Sequence, residues 1–326
     1  MNAPLFIRAL GLATPAPGDQ RQQVAALLCG APLFQRHPRW VGADGQRQIM
    51  GFVPELRDLA DFPARVAGLL HRAFVDCIAD QEARHGAVEE APLIVLLPAI
   101  LRRSVFQDAF RETCARLDFS RVSGVDLHFG GAPGALSLIR QMGQHDRLPR
   151  AYIAAADSLV TPFMLDYLAA QGLLRDRLSP WNAIPSEGAA CLLMSRDPGP
   201  AQVLACATGQ ETQSLSDPGR GLLGRALCAA VDQVLSPAMA GISEVFSDST
   251  VERWRSEELG VLRSERPRLS AKGVSWRYIT QRTGEMGAAT GLISMAAACH
   301  QEARSLILSS DRSGDRAAAV CLPAQV

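Results

Sequence analysis

Two segments of the chain, Gly131-Ala-Pro-Gly-Ala-Leu-Ser-Leu-Ile139 and Gly287-Ala-Ala-Thr-Gly-Leu-Ile-Ser-Met295, pass from small residues into an apolar helical pattern that contains no charge. A helix that is apolar on every side is buried, and small residues let its backbone lie close to another backbone. Two such helices, about half a chain apart, predict a duplicated α/β unit whose copies meet at a shared core. The rest of the pattern agrees. Leu5–Leu12, Pro92–Pro98, Arg121–Leu127, Ala151–Ala156 and Ala189–Met194 read as strands in the first half. Helical patterns cover Asp19–Cys29, Pro63–Arg84 and Ser104–Leu117. Pro92–Pro98 is a bare apolar run of strand length, as expected for a strand covered on both faces.

After a turn at Ser195-Arg-Asp-Pro-Gly199 the rhythm repeats. Strands are expected at Gln202–Thr208, Glu244–Ser247, Leu306–Ser309 and Ala317–Leu322, and helices at Gly221–Leu235, Val251–Leu262 and Gly287–Ser305. Alternating strands and helices argue for α/β layering. No low-complexity linker separates residues 1–198 from 199–326, so the two halves are expected to form one compact unit.

Composition narrows the function classes. The 33 basic and 33 acidic residues cancel, which leaves no electrostatic footprint for nucleic acid or an anionic membrane. No apolar run reaches the roughly 18 residues that a membrane span needs, and the first residues lack the pattern of a signal peptide. The eight cysteines show no CxxC and no histidine at metal-ligand spacing, and most lie in apolar stretches. A reduced, cytoplasmic location is expected, with no metal or other cofactor.

Gly219-Arg-Gly-Leu-Leu-Gly224 is a formal GxGxxG, with Glu244 at about the distance of a ribose-binding acid. A dinucleotide site requires those glycines to follow a strand directly, whereas the polar stretch 210–218 intervenes here. No GxSxG, HExxH or GxxxxGK[ST] occurs. Asp157-Ser158 reads as a turn and helix cap. Arg253, Trp254 and Arg255, accompanied by Glu252, Glu257 and Glu258, read as a solvated or partner-docking helix face. Cys191 and Cys299 have no cation nearby in sequence and read as core.

Three stretches resemble the β-ketoacyl-acyl carrier protein synthases of the thiolase superfamily. They are the helix entered at Gly130-Gly131-Ala132, the pair Ala154-Ala-Ala-Asp157-Ser158 and Ile184-Pro-Ser-Glu187-Gly-Ala-Ala-Cys-Leu-Leu-Met194, and Thr283-Gly-Glu285-Met-Gly-Ala-Ala-Thr-Gly291. The resemblance covers most of the chain. It implies a thiolase-like fold of two duplicated βαβ halves in an α-β-α-β-α arrangement. It also implies dimerisation across the strand and loop at Arg121–Gly131, as a homodimer or as a heterodimer with a related synthase.

The chemistry departs from that pattern. Condensation needs a cysteine at the N-terminus of the first buried helix, where helix dipole and backbone N–H groups lower the thiol pKa and hold the oxyanion. The resemblance places Ala132 there, or Pro133 or Gly134 with a small slip of register, and none of these is a nucleophile. Glu285 stands at the later of the family's two histidines, and Ser247 or Asp248 at the earlier. Glu187 falls on the family's pocket-supporting glutamate, with a structural role.

A degenerate branch lacking the Cys-His-His triad is therefore expected, acting as a binding or scaffolding partner. It would be a chain-length-factor-like subunit, or an accessory beside type VI secretion effector genes. The chain is shorter than the family's synthases, which favours the second by analogy. An acyl carrier protein or a secretion-effector component is the expected partner. The rival reading is an acyl-thioester transferase or hydrolase using Glu285, Asp248 and a candidate base, His128.

Overall fold

The computed structural model of the chain describes residues 4–323 apart from 87, 145–147, 178, 214, 216, 218–220, 222 and 236–240. The first half holds strands β1 (Leu5–Ala13), β4 (Ala91–Pro98), β5 (Val122–Gly130), β6 (Arg150–Ser158) and β7 (Glu187–Ser195), with a separate antiparallel ribbon of β2 (Gln35–Val41) and β3 (Arg47–Met50). Its helices are α1 (Gln20–Cys29), α2 (Phe62–His85), α3 (Ser104–Cys114), α4 (Pro133–Gln144) and α5 (Pro162–Ala170). The second half holds β8 (Ala201–Gln210), β9 (Glu244–Ser247), β10 (Ser275–Tyr278), β11 (Ser305–Ser310) and β12 (Asp315–Pro323). Its helices are α6 (Arg225–Val234), α7 (Arg253–Glu265), the single turn α8 (Thr280–Thr283) and α9 (Thr290–Ala298).

The duplication expected from the sequence is visible in strand order. Leaving the ribbon aside, the strands run β5-β4-β6-β7-β1 in the first half and β10-β9-β11-β12-β8 in the second. In each, the second strand runs parallel to the third and fourth, while the fifth is antiparallel to the fourth and the first. The two arrays join where Leu5, Phe6 and Ile7 of β1 pair with Val203, Gln202 and Ala201 of β8.

Helices α4 and α9 occupy the same place in the two copies, each following its half's third strand. Each also packs on strands of the other half: α4 on β8 and β12, α9 on β7 and β1. They form the middle layer, between an outer layer of α2 and α3 and another of α6 and α7. Their small residues set the approach: a Cβ on Gly291 would lie 2.5 Å from the Ala132 carbonyl oxygen. Every residue of α9 is buried, in keeping with its uncharged composition.

Four expectations are corrected. The second buried helix ends at Ala298 rather than Ser305, because Ser305 is already paired in β11 with Glu244 and Cys321. It is entered through a separate tight turn at Gly287–Ala289. The ribbon, α5 and β10 carry charges, a proline or only a few residues, and were not anticipated. Finally, the segment of α7 expected to be solvated is so only in part: Arg253 is exposed and Glu257 half-buried, but Trp254, Arg255 and Glu258 are buried, as is Glu252 before the helix. The GxGxxG pattern lies largely outside the described residues; within them Gly224 is the N-cap of α6 at φ +115°.

Candidate functional site

Burying a charge is costly unless it is paired and hydrogen-bonded, so the buried Arg255 marks a place where several segments must converge. Its Nη1 lies 3.0 Å from Asp248 and donates to the Ser310 carbonyl at 2.9 Å. Nη2 donates to Glu285 at 2.9 Å and Nε to Glu252 at 3.1 Å. Asp248 follows β9 and also accepts the Ser310 N–H (2.6 Å) and the Ser309 hydroxyl (3.2 Å) at the end of β11. Arg312 closes on the other oxygen of Glu252. A second buried pair, Arg316 with Glu258, adjoins it, and the Trp254 ring lies between the guanidiniums of Arg255 (4.6 Å) and Arg316 (5.3 Å).

The fold thus brings Asp248 and Glu285 onto one guanidinium. Desolvation raises the Glu285 carboxyl to about 7 against the pull of Arg255, with Asp248 and Glu252 adding to the rise. Burial pushes Glu252 up as well, but Arg255 and Arg312 together hold it below its usual range. The carboxylates surrounding Arg255 raise its own pKa against the opposing effect of burial. Ser247 is buried, and its hydroxyl accepts the Ser249 N–H at 3.1 Å, shaping the turn that carries Asp248.

Ala132 is buried directly before α4, and its carbonyl faces Gly291. Beyond it lies Asp157, at the end of β6, which accepts the Ser158 N–H (2.7 Å) and the Ala288 N–H (2.9 Å) at the entry to α9. Burial raises Asp157 to about 7 against the pull of these two backbone N–H groups, with no cation beside it among the described residues. Gly287, at φ +53°, is required there: a Cβ would lie 1.9 Å from the Asp157 carboxylate. Glu187 has the structural role expected of it. Fully buried, it takes Arg65 Nε at 2.5 Å and Nη2 at 2.7 Å, and it accepts the Val53 N–H and the Ser158 hydroxyl.

His128 stands apart on β5, within 2.9 Å of Asp126 and partly exposed. It opens on a cleft of about 610 Å³ with Pro133, Gly134, Ser137 and Arg316. Glu285 opens on another, of about 200 Å³, with Leu168, Leu174, Glu252, Arg255 and Arg312. Neither cleft contains Asp248. The cysteines are all free thiols. Cys299 lies 4.0 Å from Cys321, and their contact and burial raise its thiol far above the range of a nucleophile.

No protein-family model matches the chain, and no curated protein matches it. Solved structures do. A chain of a complex between a type II PKS acyl-carrier protein and its ketosynthase aligns over 99% of this chain and all of its own length, at 14% identity and a TM-score of 0.76. The ishigamide ketosynthase/chain length factor aligns over 99% and 100%, at 16% identity and 0.72. The fold is that of the thiolase-like ketosynthases. The ketosynthase from module 6 of the Bacillus subtilis bacillaene synthase, aligned over 99% of this chain and 72% of its own, gives 0.74 at 15% identity.

Of the residues singled out from the sequence, the fold brings Asp248 and Glu285 together on Arg255. Arg255, Arg312 and Arg316 were not legible as site residues, because the carboxylates that neutralise them come from distant segments. The one available sign was a tryptophan between two arginines in a helix otherwise crowded with acids.

Proposed function

We propose that this ketosynthase-fold chain has lost condensing chemistry and acts as a binding or scaffolding partner. The observation that carries the reading is that one buried arginine, Arg255, engages both Glu285 and Asp248. A histidine pair that polarises a thioester needs free, aimed nitrogens; here two acids are spent on an internal ion-pair network. Ala132 at the head of α4 adds the lack of a nucleophile.

The fold neighbours support a chain-length-factor-like role beside a related synthase, with an acyl carrier protein as a further partner. A secretion accessory is the second form of the same scaffold role. Genes for an acyl carrier protein and an active synthase next to this one favour the first form; spike and adaptor genes favour the second. The rival acyl-transfer reading requires a pocket that at least two of Glu285, Asp248 and His128 face; Glu285 and His128 open on separate clefts and Asp248 lines neither, which weighs against it.

Intact-protein mass spectrometry after incubation with acyl-coenzyme A and acyl-carrier-protein donors, with Glu285→Gln alongside, tests the proposal. No adduct and no turnover are expected. A stoichiometric adduct, lost or slowed in the variant, would replace the scaffold reading with an enzymatic one.

A further inference from the structure

A cleft of about 410 Å³ opens between the β2–β3 ribbon, the segment before α2 and the start of α5. That volume falls within the roughly 300–1,000 Å³ of small-molecule sites. Its walls are aromatic and apolar, with Trp40, Phe52 and Val160 among them. Trp40 is held in place by its indole N–H, which donates to Asp166 of α5 at 3.0 Å.

His37, on β2, is 8% exposed and lines this cleft. Its Nδ1 accepts two backbone N–H groups, from Arg39 at 3.0 Å and Trp40 at 2.6 Å. An acceptor at Nδ1 in a neutral ring puts the proton on Nε2. Burial first, then the charges of Arg65 and Arg39, lower the histidine pKa, which keeps the ring neutral. Nε2 has no partner among the described residues, so an N–H donor on a fixed ring is left over at the cleft.

Arg39 and Arg57 also line the cleft, are exposed, and have no carboxylate partner among the described residues. Arg65 at the base is neutralised by Glu187. Asp58 is the one acid among the lining residues, which, with Arg65 neutralised, leaves those residues a surplus of one positive charge. A guanidinium fork matches a carboxylate, and a single surplus charge suits a monoanion better than a phosphate dianion.

We infer that this cleft binds a small aromatic carboxylate, its ring between Trp40 and Phe52 and its anion held by Arg39, Arg57 and the His37 Nε2–H. The site is independent of the proposed scaffold role.

Isothermal titration of the full chain with 2-naphthoate tests it, with neutral 2-naphthalenemethanol and inorganic phosphate as comparisons. Binding of naphthoate alone is expected. It should weaken by more than about ten-fold in the Arg39→Gln/Arg57→Gln double variant, which removes two charge-assisted contacts. Both positions are exposed, so the variant keeps its fold. Absence of naphthoate binding, equal binding of the alcohol, displacement of naphthoate by phosphate, or undiminished binding in the double variant would each overturn the assignment.

Discussion

At the scale of single residues, the charge count around Arg255 governs behaviour. Four carboxylates, Asp248, Glu252, Glu258 and Glu285, face three guanidiniums, Arg255, Arg312 and Arg316. One negative charge is left over in a buried place, and Glu285, raised to about 7, is where a proton can settle. Asp157, also raised to about 7, has no cation among the described residues to offset its burial. A carboxyl whose folded pKa lies above its unfolded value binds protons more tightly in the folded chain. Its stabilising contribution is full below about pH 4 and is lost as the pH rises through about 7. These two groups should therefore make the chain less stable to urea at pH 8 than at pH 5.5, opposite to the trend of a salt-bridged aspartate. Asp157→Asn and Glu285→Gln should each flatten that slope, whatever they do to absolute stability. A slope unchanged in both variants would show that neither group titrates between those pH values.

At the scale of elements, the middle layer depends on residues that lack side chains. Alanine normally favours a helix over glycine by about 1 kcal/mol. At Gly291 the added Cβ would press on the Ala132 backbone at 2.5 Å, which a flexible side chain cannot relieve. Gly291→Ala should cost about 1–3 kcal/mol by overpacking, while Gly143→Ala, in the last turn of α4 with nothing within 4 Å, should be neutral or stabilising. Chemical denaturation of the two variants checks the contrast, and equal effects would remove the close approach as its cause. This packing explains what could be read in advance. The small-residue runs announced α4 and α9 because only buried, closely approached helices tolerate such composition. The ribbon and β10 gave no such signal: Pro38 interrupts one, and Arg277 in the other is matched by Glu244 across the sheet. Burial of Trp254 and Arg255 was illegible for a similar reason, since charge reads as solvent-facing until partners from β9, β11 and the turn before α9 are in place.

At the scale of the whole molecule, the two ends of the ten-stranded order differ. β10 is four residues long and its Arg277 is tied to Glu244, features that blunt an edge. β5 is nine residues long and, among the described residues, pairs only with β4. Val125 on it is 59% exposed, beside an apolar groove of about 570 Å³ lined by Phe110, Phe119, Leu127 and Phe129. An edge of that length with apolar side chains calls for a covering partner. Antiparallel pairing of β5 with a second copy across a two-fold axis would satisfy its open N–H and C=O groups and cover Val125 at once. Light scattering should give twice the chain mass, and Val125→Lys should give the monomer with its far-ultraviolet circular dichroism unchanged. A related chain that binds through the same edge would displace the homodimer when mixed with it, and Val125→Lys should block that exchange too. A wild-type monomer at high concentration, with no such exchange, would mean that β5 is not the surface through which this chain assembles.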